Sequence, residues 1–321
     1  MREIKIISED SGQRFDKFLK KYLKEAPGSF IYKMLRKKNI KLNGKKAEGR
    51  EMLCEGDVVA LFLSEQTIQN FRGTNKETFV SYPSEGLSIV YENKNFIFVN
   101  KSAGMLSQKA KKEDVSLVEY LLGYLQKKGE WKPGDTFTPG ICNRLDRNTS
   151  GLVVAGKNLA AVQKLSDLLK TRGLDKYYLT IVEGVMEDRQ TLRGFLQKNE
   201  KKNQVAIYRK AGTGRVPVET HYEPLCNNGI YTLLKVKLVT GKTHQIRAHL
   251  AGTGHPVLGD LKYGAKPYMG QRQQLLHAWK MIFPEIVNYP ELSGRCFTAA
   301  LPENFQRMIK ELFDNYKIME V

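Results

Sequence analysis

Between Arg14 and Arg50, thirteen Lys and Arg residues stand against three acids (Asp16, Glu25, Glu48), a net charge of +10 within 37 residues. A segment so charged can fold only if its cations stay in water while an apolar face is buried, and the spacing permits this. Phe15, Phe18, Leu19, Tyr22 and Leu23 recur at i, i+3, i+4, i+7 and i+8, which leaves Lys17, Lys20, Lys21 and Lys24 to the other face of a helix. Pro27 and Gly28 break that helix. Ser29 is placed to cap a second one, with Ile31, Met34 and Leu35 inward and Lys33, Arg36, Lys37 and Lys38 outward. Ile40 and Leu42 then alternate with polar residues, Asn43-Gly44 is a hairpin turn, and an apolar run from Val58 to Leu63 comes after the turn-like Glu55-Gly56-Asp57. The pattern predicts a small helix-helix-strand module over residues 1–64. Residues 65–85 are polar and lack sustained periodicity, which reads as a linker able to lend an edge strand to the next domain.

A second domain is expected over residues 86–321. Leu87–Tyr91 and Phe96–Val99 look like paired strands, and Val115–Leu125 like a helix. Strand-like runs recur at Gly151–Ala155, Tyr177–Val182, Tyr231–Val239 and Arg295–Ala299, mixed with helices at Leu159–Lys170 and Gln306–Asp314 rather than alternating with them. That order favours an α+β fold with a mixed, mostly antiparallel sheet over a doubly wound one.

The whole chain, 321 residues with 41% hydrophobic residues and a formal charge of +18, can bury a real core, so fibrous and largely disordered classes are set aside. Four scattered cysteines without a CxxC pair fit neither a zinc site nor a disulfide-stapled secreted domain. No apolar run reaches the roughly 18 residues of a membrane span, and Met1–Arg14 has no apolar signal region, so a soluble, unprocessed, cytoplasmic protein is expected. The charge points to a polyanionic partner, nucleic acid before a membrane surface, because the apolar helix faces are needed for a core. Solvated faces of ordinary core helices are the bland alternative.

Several familiar motifs fail on spacing. Gly241-Lys242-Thr243 imitates the end of a P-loop, but Val236 stands where its first glycine should be. Gly212-Thr213-Gly214 lacks the third glycine of a dinucleotide fingerprint. His244, His249 and His255 lie five and six positions apart, without the ligand set of a metal site. No metal and no cofactor are expected. One constellation does not fail: Asp146 lies between Arg144 and Arg147, ahead of a Thr149-Ser150-Gly151 turn and an apolar strand. Flanking cations favour the ionised carboxylate, which suits a nucleophile or base, although a structural ion pair supporting a turn would look the same.

The segment Asn143-Arg144-Leu145-Asp146-Arg147-Asn148-Thr149-Ser150-Gly151 resembles the HRLDxxTSG signature of the RluA group of pseudouridine synthases, which isomerise uridine to pseudouridine in RNA. Further segments occur in that family's order. Lys176-Tyr177-Tyr178-Leu179-Thr180-Ile181-Val182-Glu183-Gly184 is similar to its KxYxAxVxG segment. Gly241-Lys242-Thr243-His244-Gln245-Ile246-Arg247-Ala248-His249-Leu250 is similar to GRxHQIRxHL and runs on to Gly259-Asp260-Leu261-Lys262-Tyr263-Gly264, and Gln274-Leu275-Leu276-His277-Ala278 resembles the last. The match covers nearly all of residues 87–321. The first module resembles the S4-like RNA-binding domain that many of these enzymes carry, through Arg14-Phe15-Asp16-Lys17-Phe18-Leu19, Ile40-Lys41-Leu42-Asn43-Gly44 and Glu55-Gly56-Asp57.

The resemblance implies Asp146 as the essential carboxylate, Arg247 as its bidentate ion-pair partner, and Tyr178 as a ring stacking on a flipped uracil and helping to remove its C5 proton. Arg144 would fill the space the base vacates and Leu276 would wall the cavity, with Lys176, His244 and Gln245 also on the substrate. Arg14, Lys17, Lys33, Arg36, Lys37, Lys38, Lys41 and Lys45 would bind RNA. The sequence departs from the family pattern at Asn143 (usually His), Ser102 (usually Pro) and Lys242 (usually Arg), none of which touches Asp146, Tyr178 or Arg247. Expected is a monomer acting on large-subunit (23S) ribosomal RNA. Transfer RNA is the alternative substrate, and a non-catalytic ribosome-assembly binder or a hydrolase stopping at glycosidic cleavage are the rival activities.

Overall fold

The basic stretch folds as its apolar spacing demands. In the computed structural model, which describes residues 1–7, 10–72, 82–200 and 203–313, helices α1 (Phe15–Tyr22) and α2 (Gly28–Arg36) pack on a sheet ordered β1-β4-β2-β3. Its strands are β1 (Arg2–Lys5), β2 (Ile40–Leu42), β3 (Lys45–Lys46) and β4 (Val58–Leu61). Phe15, Phe18, Leu19, Leu23, Ile31 and Leu35 are buried against Ile40, Val59 and Leu61, each contributing about 1.5–3 kcal/mol. Asn43 (φ 50°) and Gly44 (φ 73°) both take the left-handed conformation that a two-residue hairpin turn requires.

Two expectations need correction here. Ser29 is not the cap of α2: it lies inside the helix, and the Pro27 carbonyl receives the Phe30 and Ile31 N–H groups instead. Proline fixes its own φ near the value a helix entry needs, so the helix starts two residues earlier. The stretch read as linker also begins with a helix, α3 (Glu65–Arg72), whose Ile68 is fully buried in the first module's core and whose Phe71 ring lies 4.5 Å from that of Phe30. Of the remainder, 73–81 lie outside the described residues, and Tyr82 packs on Trp131 of the second domain.

The second domain contains β5 (Ile89–Glu92), β6 (Phe96–Lys101), α4 (Leu117–Lys127), β7 (Gly140–Ile141), β8 (Ser150–Gly156), α5 (Leu159–Lys170) and β9 (Asp175–Glu183). Next come β10 (Gln190–Asn199), β11 (Gln204–Tyr208), β12 (Val216–Asn227), β13 (Tyr231–Leu238), α6 (Gln245–Gly252), β14 (Leu276–Ile282), β15 (Cys296–Thr298) and α7 (Glu303–Leu312). The end of the helix expected over Gln306–Asp314 falls at Asp314, outside the described residues. One sheet runs β11-β10-β12-β13-β9-β14-β8-β6-β5, with β15 on β14 and β7 on β8. Among the described residues, β14–β8 is the only parallel pairing of these strands, so the α+β, mostly antiparallel expectation holds.

The central strands are covered on both faces, which is why they read as apolar runs rather than alternations. Val153 and Ala155 of β8 join the cluster under α4, whereas Leu152 and Val154 join the one under α5. The parallel contact pairs Ser150 with His277 and Gly151 with Ala278. There the backbones approach so closely that a Cβ on Gly151 (φ 113°) would lie 2.2 Å from the Ala278 carbonyl oxygen. This crossing carries the loop before β8 to the strand ends where the site is built. No helix among the described residues is long and apolar enough to cross a membrane.

Candidate active site

Asp146 sits on the loop between β7 and β8, and a ring of short contacts immobilises that loop. The Ser107 hydroxyl donates to the Leu145 carbonyl (2.8 Å) and accepts from the Leu145 N–H (3.0 Å). Lys101, 1% exposed, aims its ammonium at three carbonyls: Ser102 (2.9 Å), Met105 (2.8 Å) and Arg147 (3.1 Å). Burial pushes its pKa down to about 8, while the nearby Asp146 charge acts in the opposite sense. Arg147 also closes on Gly104 in both directions, and the Asp146 carbonyl receives the Thr149 N–H. The turn is thus at Arg147 and Asn148, and Ser150 and Gly151, expected within it, already belong to β8.

The cation facing Asp146 comes from α6. Its first six residues, Gln245 to Leu250, are all buried, so the helix has no polar stripe. Arg247 donates through Nη1 to Asp146 Oδ2 at 2.9 Å. Its fork goes elsewhere: Nε and Nη2 grip the two oxygens of Asp260 at 2.6 and 2.8 Å. The bidentate contact expected for Asp146 is therefore made with Asp260, 2% exposed, which takes the Nε–Nη2 edge, while Asp146 receives a single N–H from Nη1. Burial works against the Arg247 charge, yet the Asp260 contacts outweigh it and hold the group above its ordinary pKa. The guanidinium also lies over the Tyr263 ring, 5.0 Å from its centroid.

His244 enters α6 with a left-handed backbone (φ 53°). Its Nε2 is 3.7 Å from Asp146 Oδ2, and its Nδ1 is 2.9 Å from the Tyr263 hydroxyl, which also accepts the Val205 N–H. Burial lowers the His244 pKa, with Asp146 opposing. The neighbouring Gln245 amide is consumed inside the protein. It donates to the Glu219 carbonyl and Thr220 hydroxyl and accepts from the Thr240 hydroxyl and Lys242 N–H, so it anchors the loop before α6 and has no atom left for substrate.

Tyr178 on β9 and Leu276 on β14, neighbouring strands, face the same cavity of about 1030 Å³ as Asp146. Burial first, and the Asp146 charge second, raise the Tyr178 pKa, so its phenol is neutral at neutral pH. A neutral phenol is a weak base, which argues against the part in C5 deprotonation expected of it. Lys176 lies two residues before Tyr178 on the same strand face, and Arg144 is exposed at the rim, 3.4 Å from Gln108. Ten Lys and Arg side chains border this cavity, and among the described residues Asp146 is its single carboxylate. Asn143 spends its side chain on β8, accepting from Val154 N–H (2.8 Å) and donating to the Leu152 carbonyl (3.2 Å).

All eight residues assigned to the site by sequence border the cavity. Missed were Asp260, Lys101, Ser107 and Tyr263, which hold Arg247, the Asp146 loop and His244 from behind. Asp260 and Tyr263 lie in the segment that continues the GRxHQIRxHL-like motif, but nothing local tied them to Arg247. In the first module, Lys17, Lys33, Arg36, Lys37, Lys38 and Lys45 are exposed and, among the described residues, form no ion pair. Arg14 differs, because both its prongs hold Asp16 at 3.1 Å, and Lys41 lies over the Phe62 ring at 5.0 Å.

A strongly cationic cavity around one carboxylate that is gripped by arginine defines an enzyme acting on a polyanion. Residues 95–252 match the RNA pseudouridylate synthase family model. The chain is 30% identical over 314 residues to ribosomal large subunit pseudouridine synthase C of Haemophilus influenzae, covering 95% of this chain and 94% of that one. The Escherichia coli K12 protein of the same name is 29% identical, covering 83% and 80%. The fold is that of human RNA pseudouridylate synthase domain containing 4 (TM-score 0.57, 21% identity, 70% of this chain and 92% of that one). The chain belongs to the RluA family of RNA pseudouridine synthases. It is an isomerase that forms pseudouridine in RNA.

Proposed function

We propose that the chain isomerises specific uridines of large-subunit ribosomal RNA with Asp146 as the essential carboxylate. The observation that carries this reading is the single carboxylate of a ten-cation cavity, tied by one oxygen to Arg247 and left with Oδ1 free of protein hydrogen bonds among the described residues. A uracil stacked within a helix cannot reach such a carboxylate, so the nucleotide flips in, at a cost of a few kcal/mol. The Tyr178 ring receives the base on one side and Leu276 bounds it on the other. Arg144, exposed at the rim with only a long contact to Gln108, is free to swing into the vacated stack. Arg247 keeps Asp146 ionised and fixed, whichever of ribose or base the carboxylate attacks. Both named bacterial relatives are large-subunit enzymes, which supports that substrate over transfer RNA.

The reaction replaces the C5–H of uracil by a C–C bond, so RNA tritiated at C5 of uridine reports it directly. Release of tritium should fall at least about a thousandfold in Asp146→Ala. Release that survives the substitution defeats the assignment. Mapping pseudouridines in ribosomal and transfer RNA from cells lacking the gene decides the substrate, and a missing transfer-RNA site would reverse that part of the reading.

A further inference from the structure

Lys176 is only 8% exposed, yet among the described residues its ammonium makes no hydrogen bond or ion pair. It rests against the cavity wall, where a Cβ on Gly241 would lie 3.6 Å from its Nζ. Asp175 precedes it in sequence but points to the other face of β9, where its Oδ2 takes the Lys237 ammonium at 2.6 Å. The cavity's one carboxylate is already matched by Arg247. Asp175 eases the charge only in part: Arg172, exposed on a left-handed backbone (φ 59°), borders the same wall and, after burial, is the larger influence, pushing the Lys176 pKa down further than Asp175 lifts it. A desolvated ammonium beside a second cation is costly unless an anion is to sit between them. The strand period sets its place, since Lys176 and Tyr178 are two residues apart and so about 7 Å along one face of β9.

We propose that Lys176 and Arg172 form a subsite for an RNA phosphodiester, the one adjoining the uridine held at Asp146 and Tyr178, which rests on the reading of the cavity given above. Neutral uridine would meet the base and ribose contacts alone, whereas a nucleotide with its phosphate on the correct side meets the cation pair as well.

The test is an equilibrium titration of the full chain with uridine, uridine 3′-monophosphate, uridine 5′-monophosphate and inorganic phosphate. One monophosphate should bind about tenfold or more tightly than uridine, as one charge-assisted contact implies. Lys176→Met should abolish that advantage, so that the monophosphate binds no more tightly than uridine to the same variant, and Lys176→Arg should restore most of it. The unfolding midpoint of Lys176→Met should match or exceed the wild type, since the variant removes an unpaired buried charge; a purely structural lysine would lower it. Should that variant disturb the fold, Arg172→Ala, on an exposed side chain, must still weaken the advantage. Monophosphates that bind no better than uridine, or that keep their advantage without Lys176, overturn the proposal. Phosphate binding that depends on Lys176 while uridine fails to bind would instead remove the nucleoside reading and leave the subsite standing.

Discussion

At the scale of single residues, the site is a relay of charges in which each group is held by the one behind it. Asp146 is fixed by one N–H of Arg247, and Arg247 by the two oxygens of Asp260. Removing Asp260 leaves a buried guanidinium with half its partners, a change that costs about 3–5 kcal/mol for a buried pair. Asp260→Asn keeps the shape and one acceptor. It should lower kcat for tritium release by one to two orders of magnitude with KM little changed, since its effect reaches the substrate only through Asp146. A rise in KM at constant kcat would show that Asp260 serves binding instead. Asp146 and Arg247 were legible in the sequence through segments that resemble the family's motifs, since the local pattern around Asp146 alone would equally suit a structural ion pair. Asp260 was not, because its role depends on a fold that brings the turn after α6 back beneath the helix, and a lone Gly-Asp reads as an ordinary turn. Gln245 was misjudged for the same reason: a side-chain amide beside a catalytic motif looks available until its partners in β12 and the preceding loop are known.

At the scale of elements, legibility followed periodicity. Helices α1, α2 and α5 carry one apolar stripe each and were placed to within a residue or two. Helix α6 is buried all round, so it has no stripe to read, and α3 offers only Ile68 and Phe71 within eight otherwise polar residues. The crossing of β8 and β14 that carries the Asp146 loop is locked by His277, which is fully buried. The Ala299 carbonyl can only accept, so His277 Nε2 carries the proton (3.1 Å) and Nδ1 accepts the Ser150 hydroxyl (2.9 Å). Burial depresses its pKa to about 4, against an unfolded value near 6.5. Since the unfolded chain binds this proton first, His277 costs nothing above pH 6.5 and destabilises progressively as pH falls from there to about 4, by about 3 kcal/mol in all. Buried His249, also lowered to about 4, acts in the same direction. Urea midpoints measured from pH 7 to 4.5 should therefore fall, and His277→Gln should flatten the decline by roughly half. A decline of unchanged steepness in that variant would refute the assignment of the neutral histidine.

At the scale of the whole molecule, two kinds of positive charge are built in different ways. Around Asp146, Arg247 in the cavity wall and Lys101 behind the loop are buried and tied to named atoms, where salt screens them little. On the first module the helices turn their apolar faces into a core and leave Lys33, Arg36, Lys37 and Lys38 exposed and without ion pairs among the described residues. Such charges attract RNA backbone without reading sequence, and each phosphate they neutralise releases counterions. An S4-like, RNA-binding role for this module therefore has a quantitative signature. Replacing Lys33, Arg36, Lys37 and Lys38 by Gln should reduce the slope of log affinity against log salt concentration by roughly 3, at about 0.7–0.9 per lost contact. The apolar faces are untouched, so thermal stability should stay within about 0.5 kcal/mol of the wild type. Tritium release from a short RNA spanning only the target uridine should persist, because Asp146, Tyr178 and Arg247 belong to the other domain. An unchanged salt slope on long RNA would mean that these helices only solvate the module, and that the catalytic domain's own cations hold the substrate.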